Sequence, residues 1–319
     1  MNSLALVFPG QGSQFVGMGK ALAEAFDEAR SVFQEADEIL GFDLSRLCFE
    51  GPQDKLTDTI NAQPALLVVS IATMKAIESQ GIQLPDPAYV AGHSMGEYSA
   101  LVRAGSLSFE DGLKLVRERG KQMKLAGERN PGGMAAIIAL SEEKIEEACA
   151  TASEQTGRPV QIANYNCPGQ VVISGDKTAL ERAMEIAREN GAKRVIPLAV
   201  SIAAHSPLML SAASALAETI ERTDIKPARI PVVANVSAAP MTDPDEIRQE
   251  LISQLTASVR WTESVEWMIG QGVDTFVEIG AGNVLSGLIR RINRKVKTLS
   301  VGDPEGMEKL AELLNSREQ

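Results

Sequence analysis

The sequence predicts an α/β fold: a core domain with a parallel sheet, made from residues 1–130 and 201–319, and a small domain inserted at 131–200. Two observations carry this. An apolar run, a glycine-rich turn and then a helical pattern recur near residues 4–36, 89–104 and 274–292, and repeated strand–turn–helix units of this kind build parallel sheets. After the break Asn130-Pro131-Gly132-Gly133 the order changes to β-α-β-β-α-β, the ferredoxin-like arrangement, which is a self-contained unit. A chain of 319 residues is long enough for about two domains.

Residues 4–8 read as a buried strand, followed by the loop Pro9-Gly10-Gln11-Gly12-Ser13-Gln14 and a helix over about 18–36. The loop is neither G-x-G-x-x-G nor G-K-[ST], which argues against nucleotide binding. It reads instead as a loop whose backbone N–H groups, that of Gln11 above all, face a reaction centre. Pro64 suits the first turn of a long apolar helix over 65–80. Gln63, just ahead of it, is either a cap-region polar residue or a wall of the site. Residues 84–87 link to a strand at 89–91, and 97–104 form a helix. Between these lies Gly92-His93-Ser94-Met95-Gly96. This G-x-S-x-G pattern carries chemistry when it joins a strand to a helix, because the tight turn holds the serine exposed. Gly92 and Gly96 provide the small neighbours such a turn needs. The helix N-terminus and the Met95 N–H then point toward an oxyanion formed beside Ser94. The plain alternative is a glycine-bracketed turn with an incidental serine.

Ser108 caps a helix over about 109–126, whose apolar stripe is Leu113, Val116, Gly120 and Met123. Arg117 falls among Lys114, Lys121 and Lys124, a solvated face. Arg119 falls between Leu115 and Met123, at the edge of the buried stripe. A guanidinium there is costly unless an anion meets it. Either it pairs with another side chain, or it clamps a substrate carboxylate, for which a planar bidentate donor is suited.

In the inserted unit, strands are expected at 134–140, 160–166, 170–174 and 194–200, with helices at about 142–155 and 177–190. Asn164 and Asn166 precede the Pro168-Gly169 turn. They could face a cleft between the domains, a common place for a ligand, or simply serve the turn. The chain re-enters the core at Ser201. Ser206 and Pro207 are a cap and first residue of a helix to about 221, which fixes His205 just ahead of it. The chain has only two histidines. A serine nucleophile needs a base near neutral pKa, and His93 adjoins Ser94 on the turn, where its side chain should point elsewhere. His205 is therefore the base by elimination, and no acid partner can be assigned from spacing. A strand at 231–235, a helix over 246–255 containing Gln254, a helix over 261–269, a strand at 274–279 and a helix from about 284 complete the core. The last helix runs into Arg290-Arg291-Ile292-Asn293-Arg294-Lys295-Val296-Lys297. This basic cluster either complements a helix dipole or docks an acidic or phosphorylated partner.

The net charge of −11 argues against general nucleic-acid binding. Three widely spaced cysteines, Cys48, Cys149 and Cys167, without C-x-x-C, argue against a disulfide framework or a zinc site and fit a reducing cytoplasm. No apolar run reaches about 18 residues, so no membrane span is expected. The N-terminus has no basic region before its apolar run, so no signal peptide is expected.

FPGQGSQ, QPALL, GHSMGEYSALV, RERGKQM, NYNCPGQVVISG, AHSPLM and VEIGAGNVL occur in that order between residue 4 and about 292. Together they resemble malonyl-CoA:acyl carrier protein transacylases, the stand-alone acyltransferases of fatty-acid synthesis, to which polyketide synthase acyltransferase domains are related. The resemblance implies a hydrolase-like α/β core with a ferredoxin-like insertion. It also implies Ser94 as the acyl-forming nucleophile, His205 as its base, Arg119 on the malonyl carboxylate, and Gln11 and Met95 as the N–H donors to the oxyanion. Gln63 would line the site, and the segment of Gln254 would orient His205 through a main-chain carbonyl. A coenzyme A thioester and acyl carrier protein are the implied substrates, no cofactor or metal is implied, and a cytoplasmic monomer is expected. One departure stands out: Ala204 precedes the histidine where malonyl enzymes often carry phenylalanine, which leaves more room near the acyl α-carbon. A trans-acting polyketide acyltransferase with relaxed extender choice, and a thioesterase-type hydrolase using the same pair, are the alternative readings.

Overall fold

The structure is a computed structural model and describes residues 3–200 and 202–316; the expected domain limits at residues 1, 201 and 319 lie outside them. Among the described residues ten strands follow one another: β1 (Ser3–Phe8), β2 (Tyr89–Gly92), β3 (Gly132–Ile138), β4 (Val160–Cys167), β5 (Gln170–Asp176), β6 (Arg194–Pro197), β7 (Val232–Val233), β8 (Pro240–Met241), β9 (Val273–Ile279) and β10 (Lys297–Val301). They form two sheets. The larger has the order β10-β9-β1-β2-β7-β8, parallel throughout except for β8, which runs antiparallel to β7. The smaller has the order β4-β5-β3-β6 and is antiparallel. Helices Glu142–Thr156 and Lys177–Glu189 complete the smaller unit, which buries its own apolar cluster around Ile137, Ile145, Ile173 and Ala183.

Register fixes where the loops emerge. Phe8 pairs with Gly92 across β1 and β2, and Ala91 pairs with Val233 across β2 and β7. Three chain ends therefore open side by side at the carboxyl edge of the parallel sheet, the usual place for a ligand in such sheets. The smaller sheet reaches the same edge. Tyr165 N–H donates to the Val259 carbonyl at 2.9 Å, and Val259 N–H donates to that of Ala163 at 2.8 Å.

Several elements differ from expectation. The helix expected over 65–80 begins earlier, as Thr59–Ser79, capped by the Asp58 side chain, so Gln63 and Pro64 lie inside it. Proline has no N–H for the carbonyl four residues back. That carbonyl, on Ile60, accepts instead from Arg117 Nη1 at 2.5 Å. Arg117, expected on a solvated face, is accordingly half-buried, with its guanidinium over the Phe42 ring. The same helix is long and apolar enough to cross a membrane by composition, against expectation, but it is mostly buried inside the protein. A core helix is apolar all round because it is covered on all sides. The helix expected over 18–36 is two, Lys20–Ala25 and Asp27–Leu40, broken by extended backbone at Phe26. The strands expected at 231–235 and 194–200 shrink to β7 and β6. The helix expected over 246–255 is Pro244–Ser253 and leaves Gln254 at its C-terminal cap. The basic cluster is split between the end of helix Val284–Ile292 and the first residue of β10, which the sequence pattern did not reveal.

Candidate active site

The turn after β2 is built around Ser94, whose φ of 52° lies in the left-handed region that a non-glycine residue adopts only under constraint. The constraint is visible on both sides. A Cβ on Gly92 would lie 2.0 Å from the Gly96 carbonyl, and one on Gly96 would lie 2.2 Å from the Phe8 carbonyl oxygen. The loop after β1 lies directly on this turn, since a Cβ on Gly10 would lie 2.4 Å from the His93 carbonyl oxygen. Among the described residues no acceptor pairs with the backbone N–H of Gln11 or Met95. Ser94 N–H is held by Asn235 Oδ1 at 2.7 Å, just beyond β7.

His205 also sits in the left-handed region, at φ 57°, and is 2% exposed. Its Nδ1 lies 2.9 Å from the Gln254 carbonyl oxygen and 3.1 Å from that of Ala257. Two acceptors on one side mean that Nδ1 carries the proton, which leaves Nε2 as an acceptor. Ser94 Oγ, 2.8 Å away, donates to it. The orienting groups are carbonyls exposed beyond a helix C-terminus, where the helix itself leaves them unpaired. No carboxylate is required, which is why no acid could be assigned from spacing. Burial, and next the Arg119 cation, lower the His205 pKa to about 3, so the imidazole is neutral and competent to accept a proton. The Gln161 side chain steadies this loop by donating to the carbonyls of His205 and Thr256 at 2.8 and 3.1 Å.

Arg119 is 1% exposed. Its Nη1 donates to Gln63 Oε1 at 2.8 Å, and its Nη2 donates to Ser94 Oγ at 3.0 Å and to Gln254 Oε1 at 2.9 Å. These are neutral oxygens, so a buried cation stands beside a partly exposed nucleophile and can receive an anionic group there. Burial lowers its pKa, and neighbouring Tyr98 and Glu97 act against that. A chain of side chains supports it from below: Gln63 Nε2 donates to Thr59 Oγ1, and Thr59 Oγ1 donates to Gln11 Oε1, both at 2.8 Å. Of the sequence-singled residues, Ser94, His205, Arg119, Gln63 and Gln254 thus meet in one cluster, with Gln11 tied to it through Thr59 and Met95 following Ser94 in the turn. Asn164 and Asn166 lie apart from the nucleophile. Asn166 Oδ1 holds His93 Nε2 at 2.8 Å, which turns His93 away as expected, and Asn164 bridges to Val259.

Sequence reasoning missed Thr59, Glu97, Gln161 and Asn235. Glu97 follows the turn directly and is fully buried; an acidic residue so close to G-x-S-x-G was the one available signal. Asn235 Nδ2 donates to the Gly92 carbonyl at 2.7 Å, and its backbone N–H donates to Glu97 Oε1 at 2.9 Å. Burial pushes the Glu97 carboxyl well above its usual range, nearby Glu250 pushes the same way, and hydrogen bonds from Asn235 and Gln254 oppose it. Among the described residues no group of three or more His, Cys, Asp or Glu could hold a metal ion.

A neutral imidazole on a serine hydroxyl, the unpaired N–H groups of Met95 at a helix start and of Gln11 in the loop after β1, and a buried guanidinium together suit acyl transfer through the serine, with an anionic acyl group. The sequence matches the acyl transferase domain family over residues 5–304. It is similar to the malonyl CoA-acyl carrier protein transacylase of Bacillus subtilis, 51% identical over 97% of this chain and 96% of that protein. The solved acyl-carrier-protein-S-malonyltransferase of Bartonella henselae superposes with a TM-score of 0.93 at 46% identity, covering 98% of this chain and 99% of that one. A malonyl-transacylase solved in complex with its type II PKS acyl-carrier protein superposes with a TM-score of 0.94 at 42% identity, covering 98% of this chain and 100% of that one.

Proposed function

Since the chain belongs to the acyl transferase domain family, we propose that it moves a malonyl group from malonyl-CoA to the phosphopantetheine thiol of acyl carrier protein. The observation that carries this is the buried Arg119 guanidinium beside the nucleophile, its Nη2 3.0 Å from Ser94 Oγ, where a carboxylate carried on the acyl group can meet it. In this reading His205 Nε2 takes the Ser94 proton as Oγ attacks the thioester carbonyl. The oxyanion rests on the Gln11 and Met95 N–H groups, which contribute roughly 3–4 kcal/mol per donor in comparable sites. Coenzyme A leaves as a thiol, taking the proton from His205, and malonyl-Ser94 remains. The carrier thiol then attacks this ester by the same steps in reverse. Thioester, ester and thioester share one oxidation level, so the chemistry calls for no redox cofactor.

We read the smaller sheet, with its order and two helices, as a ferredoxin-like insertion at 131–200 in a hydrolase-like core, and the chain as a cytoplasmic monomer. Buried, unpaired Cys48, Cys149 and Cys167 support the compartment. Asn164 and Asn166 act as walls of the cleft between the units. The carrier approaches along the basic cluster: Arg291 Nη1 donates to Gln170 Oε1 at 2.7 Å, so the cluster abuts the smaller unit. Reversing the charge of Arg290 and Arg291 together is expected to raise the carrier KM by about tenfold at low ionic strength and less in salt. Steady-state kinetics at two salt concentrations check it, and an unchanged KM at low salt would remove the patch from the docking surface. The experiment that tests the function is transfer of labelled malonyl from coenzyme A to purified holo-carrier, with Ser94→Ala as control.

A further inference from the structure

Glu97 has no part in the steps above, yet it is fully buried and tied to both halves of the site. Every partner of its carboxyl group is a donor. Oε1 accepts from the Asn235 backbone N–H at 2.9 Å and from Asn235 Nδ2 at 3.1 Å. Oε2 accepts from Gln254 Nε2. At its other end the same Gln254 amide accepts from Arg119 Nη2 at 2.9 Å, while Nε2 also donates to the Ser94 carbonyl at 3.1 Å. With donors at both oxygens and no acceptor for a proton, the group is held as a carboxylate against the opposing effect of burial, so one amide stands between a cation and a carboxylate, each end matched to the charge it meets. The other ionisable groups around Glu97 are Glu250, from helix Pro244–Ser253, and Tyr98 on its own helix. We propose that Glu97 is a positioning residue for carboxylate selection: by accepting from Gln254 Nε2 it holds the Gln254 oxygen against Arg119 and so fixes the guanidinium at the acyl pocket. This rests on the malonyl-transfer reading of the site.

The hydrogen-bond pattern makes the consequence of an isosteric change specific. The two Asn235 donors require an acceptor at Oε1. In Glu97→Gln the introduced NH2 therefore takes the place of Oε2 and meets Gln254 Nε2, donor against donor. A buried clash of this kind is costly. Turning the Gln254 amide relieves it, but then presents NH2 to Arg119 Nη2, which has no acceptor capacity either, and the guanidinium is displaced. The Gln254 main-chain carbonyl still holds His205, and the Asn235 side chain still holds Ser94 N–H. The loss should therefore fall on carboxylate recognition and spare the nucleophile.

The test compares wild type with Glu97→Gln in three reactions: acylation by malonyl-CoA, acylation by acetyl-CoA, and modification of Ser94 by phenylmethylsulfonyl fluoride. Malonyl kcat/KM is expected to fall by roughly 30-fold or more, while the acetyl and sulfonyl fluoride rates stay within about threefold. Parallel loss in all three reactions would make Glu97 a scaffold of the turn and overturn the proposal, as would an unchanged malonyl preference. Should Glu97→Gln not fold, Glu97→Asp keeps the charge but draws the acceptor one methylene back from Gln254 Nε2, and the same malonyl-selective loss is expected; its absence overturns the proposal equally. A wild-type protein that reacts with the sulfonyl fluoride but takes no malonyl group would instead sink the functional reading itself.

Discussion

Arg119→Ala is expected to lower kcat/KM for malonyl-CoA by roughly 100-fold or more, with acetyl-CoA little affected. The guanidinium is buried and its present partners, Gln63, Gln254 and Ser94, are neutral. The malonyl carboxylate would be its first direct counter-ion. Truncating one side of a buried, hydrogen-bonded charge pair costs about 2–5 kcal/mol, which is the source of that factor. An acetyl group makes no such pair and leaves the cation as it is in the free protein. The ratio of malonyl to acetyl transfer should therefore collapse in the variant. Parallel losses for both acyl groups would show that Arg119 serves the fold or the nucleophile rather than selection.

Removing His205 as alanine is expected to cost on the order of 10⁴-fold or more in acylation, as loss of the base does in serine enzymes generally. Its state also gives a pH prediction. The sign follows from burial: the charged imidazolium is disfavoured, the folded pKa drops to about 3, and the neutral, active base persists as pH falls until that value is approached. A histidine of ordinary pKa would be about tenfold less available at about pH 5.5 than at neutrality. Modification of Ser94 by a neutral sulfonyl fluoride should instead change by less than about threefold over that interval. A tenfold decline with a midpoint near 6.5 would contradict the buried, neutral assignment.

Much of this site was legible because its chemistry is local. Ser94 is declared by the glycines around it, and those glycines are forced by contacts of 2.0 and 2.2 Å that any Cβ would make. His205 could be found because only two histidines exist and the other is bound into the turn. Arg119 was separable from Arg117 by helical phase alone. What stayed hidden was whatever depends on contacts between distant segments. Asn235 and Glu97 are 138 positions apart and meet only because β7 lies beside β2. The early start of helix Thr59–Ser79 was masked by Pro64, whose missing hydrogen bond is made good by Arg117, 57 positions away from Ile60. The two-residue β8 and the edge strand β10 carry too few residues for a period to show. The orientation of His205 by carbonyls rather than an acid has no side-chain signature at all.

The most direct test is intact-protein mass spectrometry after brief mixing with malonyl-CoA, methylmalonyl-CoA and acetyl-CoA in competition, with Ser94→Ala alongside. A single malonyl adduct, absent from the variant, is the predicted result, and a methylmalonyl adduct beside it would show a pocket permissive at the acyl α-carbon without touching the mechanism. Release of coenzyme A with no adduct on the wild-type protein would contradict a malonyl-Ser94 intermediate and point to hydrolysis instead.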